Sequence, residues 1–123
     1  MNAVMEALLT RRSTRRFTED TLPIEELLQI AKAGTYAPSG KNGQTWKFTI
    51  IRNRSKIREL SEAIAVELGR EGYDMYNPAA LIVPSDETES RFGKEDNACA
   101  LENIFLAAHS YGIGSVWINQ LQD

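Results

Sequence analysis

Residues 98–111, Ala98-Cys99-Ala100-Leu101-Glu102-Asn103-Ile104-Phe105-Leu106-Ala107-Ala108-His109-Ser110-Tyr111, decide the fold class. The run lacks Pro and Gly and is closed by Gly112, a helix stop. Its apolar side chains nearly encircle the helix, and a helix apolar all round must be covered on all sides. The spacing therefore predicts a central position or a subunit interface. Outward from this helix, 115–118 reads as a final strand. Ala80 to Val83 reads as a short buried strand closed by Pro84, followed by an acidic polar loop from Ser85 to Lys94. Ser55 is placed to cap a helix with the stripe Ile57, Leu60, Ile64 and Leu68, and Trp46 to Ile51 carries the β-branched and aromatic residues of a strand. Pro23 suits the first turn of a helix with Ile24, Leu27, Leu28 and Ala31 at helical spacing, ended by Gly34. Asn2 caps a first helix whose stripe is Val4, Met5, Leu8 and Leu9. Helices interleaved with short strands predict a layered α/β or α+β fold, and residues 1–123 show no repeat, no linker and no second domain.

Composition narrows the class. The 123 residues are 42% hydrophobic and 25% charged, ordinary globular usage that excludes collagen-like and low-complexity chains. One cysteine, Cys99, excludes an intramolecular disulfide. No apolar run approaches the ~20 residues that span a bilayer. No signal-peptide core is followed by small cleavage-site residues. A protein of the cytoplasm, without a membrane partner, is the expectation. The net charge is −3, unevenly spread: residues 1–58 hold eleven basic against five acidic side chains, net +6, and residues 59–123 hold three against twelve, net −9. An acidic chain that keeps a basic patch has a specific anion to hold. Acidity and sparse aromatic interleaving argue against nucleic acid.

Few residues offer chemistry of their own. No metal-ligand set is visible. Cys99 and His109 read as core or interface residues, too far apart along one helix to form a nucleophilic pair. Gly112-Ile113-Gly114 precedes a strand instead of following one, so it reads as a helix stop and turn. Two loops remain. In Arg11-Arg12-Ser13-Thr14-Arg15, clustered guanidiniums present planar forks to phosphate oxygens, and a serine hydroxyl adds a neutral donor. In Ala37 to Gln44, small residues let a ligand approach the backbone, Asn42 and Gln44 can pair with a heterocycle edge, and Trp46 offers a flat wall. A solvated basic turn and a plain connection are the alternative readings. Taken together, an anion loop and a polar-ring loop point to a phosphorylated heterocyclic cofactor.

At these loops the sequence resembles the FMN-dependent nitroreductase family. Residues 11–17 are similar to its Arg-Arg-Ser-x-Arg-x-Phe signature, and residues 37–46 to Ala-Pro-Ser-x-x-Asn-x-Gln-Pro-Trp, with Thr45 in place of the proline. Asp96 through Asn103 to Ala108, then Gly112 to Ile118, resembles the family's central helix and following strand. The resemblance implies an α+β sandwich that forms homodimers with FMN at the interface. It implies that Arg11, Arg12, Ser13 and Arg15 hold the phosphate, ribityl chain and pyrimidine edge. It also implies that Pro38, Ser39, Gly40, Asn42 and Gln44 approach the flavin from the other subunit, and that the helix with Asn103 and Ala107 lies in the dimer core. It implies, further, that hydride passes from NAD(P)H to flavin N5 and on to a nitroaromatic, quinone or similar electron-poor acceptor in ping-pong order, with no catalytic side chain and no metal. Family members continue past a segment like 114–123, so the domain is expected to be C-terminally incomplete. A flavin-binding or dimerisation module without turnover is the alternative.

Overall fold

The structure, a computed structural model, describes residues 1–119; the last four residues of the expected 1–123 unit lie outside the described residues. Helix α1 spans Ala3–Thr10, and the Asn2 side chain accepts from the Met5 N–H at 2.9 Å, as its capping position predicts. Helix α2 spans Ile24–Gly34, with Leu27, Ile30, Ala31 and Gly34 buried. Strand β1 spans Lys47–Ile51, helix α3 Arg54–Leu68, strand β2 Leu81–Ser85 and helix α4 Gly93–Ser110.

β1 and β2 form an antiparallel ladder, with Phe48 opposite Pro84 and Ile50 opposite Ile82. Pro84 lies inside β2 instead of closing it. A proline is tolerated on an edge strand, and both strands of this ladder are edges among the described residues. The expected strand at 115–118 is reduced to one parallel bridge, Ser115 to Ser13. A lone bridge has no neighbouring ladder to extend it.

The core joins α2, α4 and one face of the ladder. Ile30, Leu101, Ile104 and Ala108 are buried together, with Phe48, Ile82, Phe105, Ala107 and Ile113 packed around them. α2 and α4 approach closely at Gly34, where an added Cβ would lie 2.9 Å from Ile104 Cδ1. Gly34 is thus required for contact, and the α2 C-cap is Thr35. At the end of α4, Gly112 takes φ +75°. Its N–H donates to His109 O at 2.9 Å, and Ile113 N–H donates to Ala108 O at 2.9 Å, the paired bonds of a Schellman stop.

Three local expectations shift. Asn53, not Ser55, caps α3: its Oδ1 accepts from Ser55 N–H and Lys56 N–H at 2.9 and 3.2 Å. The buried face of α3 runs through Ile57 and Ser61, leaving Leu60 exposed. α4 begins five residues earlier than the apolar pattern suggests, because Lys94 and Glu95 face water while Asp96 turns inward. α4 is also not enclosed within one chain. Cys99 is exposed, and Phe105, Leu106 and Ala107 are only half-buried. α1 has no buried residue at all, and its stripe of Val4, Met5, Leu8 and Leu9 faces solvent.

Candidate functional site

The basic loop hangs between the C-terminal ends of two helices. Thr10, the last residue of α1, donates its hydroxyl hydrogen to Glu6 O at 2.6 Å. Its oxygen lies 2.9 Å from His109 Nε2. The single hydroxyl hydrogen is committed, so His109 Nε2 is the donor of that second bond. Past Thr10, Arg12 Nη1 donates to Leu9 O and Arg11 O at 2.9 and 2.8 Å, satisfying carbonyls left open at the end of α1. Arg11 turns the other way, with Nε 3.9 Å from Glu102 Oε1 and Cζ 5.8 Å from the Phe105 ring centre. Ser13 bridges to Ser115, and Thr14 N–H donates to Ser115 O at 2.9 Å. Gly114 leaves room for this contact, since a Cβ there would lie 2.7 Å from Thr14 Oγ1. Arg12, Arg15 and Arg16 are exposed, and among the described residues none of them pairs with a carboxylate.

The second loop lies at the opposite end of α4. Pro38 is exposed; Ser39 and Gly40 are half-buried; Gly40–Asn42 make a single tight turn. Gly40 N–H donates to Asp96 Oδ1 at 2.9 Å, and a side chain on Gly40 would run into the Phe92 ring. Gln44 N–H donates to Ser39 Oγ at 3.2 Å, and Gln44 Nε2 to Asn42 Oδ1 at 2.6 Å. Thr45 donates its hydroxyl to Asp86 Oδ1.

The structure therefore assembles each loop but does not join the two within one chain. His109 and Asp96, their respective anchors, are separated by thirteen residues of α4, about 20 Å at 1.5 Å per residue. Two concavities lie elsewhere, lined by residues between Ile57 and Asn77. Asn103 donates Nδ2–H to Ala33 O at 3.0 Å, so its amide ties α4 to α2 of the same chain. Cys99 is not a core residue, and His109 belongs to the anchor of the basic loop. Asp86 and Phe92 fall in the stretch read only as an acidic polar loop, and the roles of Asp86 and Asp96 escape sequence reasoning because their partners Thr45 and Gly40 lie 41 and 56 residues away. The one available signal is an acidic residue in the first turn of a helix.

Residues 8–79, which include both loops, match the model described as the Nitroreductase family. The chain belongs to this family. A nitroreductase relative from Archaeoglobus fulgidus, provisionally named NADH dehydrogenase/NAD(P)H nitroreductase, is 35% identical over 96% of this chain and 68% of its own length. A Vibrio harveyi NADPH-flavin oxidoreductase is 29% identical over the whole chain and 56% of its own length. The crystal structure of a Bacteroides fragilis nitroreductase with bound FMN superposes with a TM-score of 0.93 at 39% identity, over 98% of this chain and 72% of that one. The fold is thus the α+β nitroreductase fold. The chain spans between about half and three quarters of the length of these relatives. Among the described residues no helix is long and apolar enough to cross a membrane.

Proposed function

We propose that this chain is an FMN-dependent oxidoreductase that takes hydride from NAD(P)H and reduces a nitroaromatic, quinone or similar electron-poor acceptor in ping-pong order, as a homodimer in the cytoplasm. The observation that carries the reading is the run of exposed arginines Arg12, Arg15 and Arg16, flanking Ser13 in sequence with no carboxylate paired to them among the described residues. Like charges clustered within five residues favour an anion that neutralises them, and planar forks match phosphate oxygens. The donor set fits the phosphate of FMN.

In this reading Arg11, Arg12, Ser13 and Arg15 bind the phosphate, ribityl chain and pyrimidine edge. Arg12 is held at the end of α1 by its two backbone bonds through Nη1. Pro38, Ser39, Gly40 and Asn42 of a second subunit, with Gln44 bracing Asn42, cover the ring. The 20 Å separation within one chain supports a site shared between two. When bound, FMN supplies N5 as the hydride carrier, and the chain contributes orientation, electrostatics and exclusion of water.

Titrating FMN fluorescence with the 123-residue chain tests this. A charge-assisted hydrogen bond contributes roughly 1.5–3 kcal/mol, so Arg15→Ala should weaken FMN by about 10- to 150-fold. Unchanged affinity removes the assignment of that loop. FMN binding without NAD(P)H oxidation in the presence of a quinone assigns a flavin-binding module instead.

A further inference from the structure

The Pro38–Gln44 loop is held in a shape its sequence does not favour. Lys41, Asn42 and Gln44 have φ of 54°, 55° and 51°, the left-handed region that asparagine tolerates but that disfavours lysine and glutamine. Such a backbone persists only where its surroundings impose it. Beyond the loop's own bonds from Gln44 to Ser39 and Asn42, the surroundings that do so come from one short stretch, residues 86–96, which leads into α4. Asp96 accepts the Gly40 N–H; Asp86 accepts the Thr45 hydroxyl; the Phe92 ring lies against Gly40. Thus one carboxylate holds each end of the strained segment.

Both acids are placed for this, although Asp86 Oδ1 also accepts the Glu87 N–H at 2.8 Å. Asp96 is 5% exposed, and a buried carboxylate needs donors. It lies in the first turn of α4, where the helix end favours negative charge. Asp86 packs closely on residue 93, where an added Cβ would lie 3.2 Å from Asp86 Cβ.

We infer that Asp96 and Asp86 are positioning residues for the flavin-facing loop, setting the backbone shape that Pro38–Gln44 presents to the ring. This rests on the flavin reading above. Neither acid is assigned a contact with the flavin. Their effect passes through Gly40 and Thr45.

The test compares Asp96→Ala, Asp96→Asn and Thr45→Val in the 123-residue chain, with two readouts: the FMN dissociation constant and, without flavin, hydrogen exchange of the Gly40 amide. Asparagine keeps an oxygen that can accept the Gly40 N–H. Asp96→Ala should therefore weaken FMN by about tenfold and speed Gly40 exchange by about tenfold, while Asp96→Asn stays within about threefold on both, from the worth of one hydrogen bond. Asp96→Ala binding FMN like the unsubstituted chain overturns the inference and leaves the flavin reading standing. Equal losses in Asp96→Asn and Asp96→Ala overturn the hydrogen-bond account. An unsubstituted chain that does not bind FMN overturns the flavin reading itself, and this inference with it. Should Asp96→Ala fail to fold, Thr45→Val carries the test: about threefold weaker FMN with the Gly40 amide still protected supports the inference, and unchanged affinity overturns it.

Discussion

Replacing Gly34 by alanine tests the packing that holds the core together. A methyl at Gly34 would sit 2.9 Å from Ile104 Cδ1, 3.1 Å from Ile104 Cγ1 and 3.3 Å from Phe48 Cζ. Carbon atoms prefer about 3.5–4.0 Å. Ile104 is 4% exposed, so its side chain cannot swing aside without disturbing Leu101 and Ala108. Overpacking of this kind costs typically 1–3 kcal/mol. Removing a glycine from a helix returns about 0.5–1 kcal/mol, toward the lower end at a last helical residue. The net is about 1 kcal/mol of destabilisation. At ~2.1 cal/mol/K per residue this lowers the thermal midpoint by about 4 °C for a chain of 123 residues. Ile104→Val removes the Cδ1 that collides and costs about 0.5–1.5 kcal/mol alone. In the double variant part of the strain is relieved, so the two losses should sum to about 1 kcal/mol more than the double variant loses. Urea midpoints of the four proteins measure this cycle. A Gly34→Ala variant more stable than the parent, or strict additivity with Ile104→Val, refutes the close approach of α2 and α4.

At Gly114 a methyl would lie 2.7 Å from Thr14 Oγ1 and push Thr14 off the Ser115 carbonyl. On the flavin reading, Gly114→Ala weakens FMN by about two- to tenfold, the worth of one ordinary hydrogen bond, as read by fluorescence titration. The Tyr73 phenol is pushed up from its usual value, chiefly by burial, further by Tyr76 and Asp74, and against the lowering effect of Arg70. A raised folded-state value means the folded chain keeps its proton longer than the unfolded one. The stability this contributes is fully present below the ordinary tyrosine value of 10.0 and is lost as pH rises through the folded value. Denaturation midpoints should therefore fall above about pH 10, and Tyr73→Phe should flatten part of that fall.

Local patterns carried the helices well. Asn2 caps where a cap was needed, and Leu27 and Ala31 are buried as helical spacing requires, while Leu28 of the same stripe is exposed and Ile30 is buried. The same patterns misled where burial depends on distant contacts. Leu60 follows the apolar stripe of α3 yet is exposed, while Ser61 is buried in its place. The polar start of α4 hid a helical turn, because periodicity weighs Asp96 as a surface residue when its carboxylate is bonded to a backbone amide 56 residues away. Both candidate loops were legible as composition, guanidiniums in one and small polar residues in the other. Their anchors were not: Thr10 meets His109 across 99 residues, and no local rule encodes that pairing.

The bare flank of α1 has a cost that reaches the arginines. Eight residues supply too few backbone hydrogen bonds for a helix to persist alone in water, and this one is moored to the rest of the chain mainly at its far end, through Thr10. Whatever settles over Met1, Val4, Met5, Leu8 and Leu9 also firms the mooring from which Arg11 to Arg15 project. On the homodimer reading, grip on an anion and shelter for a greasy flank then rise and fall together with protein concentration.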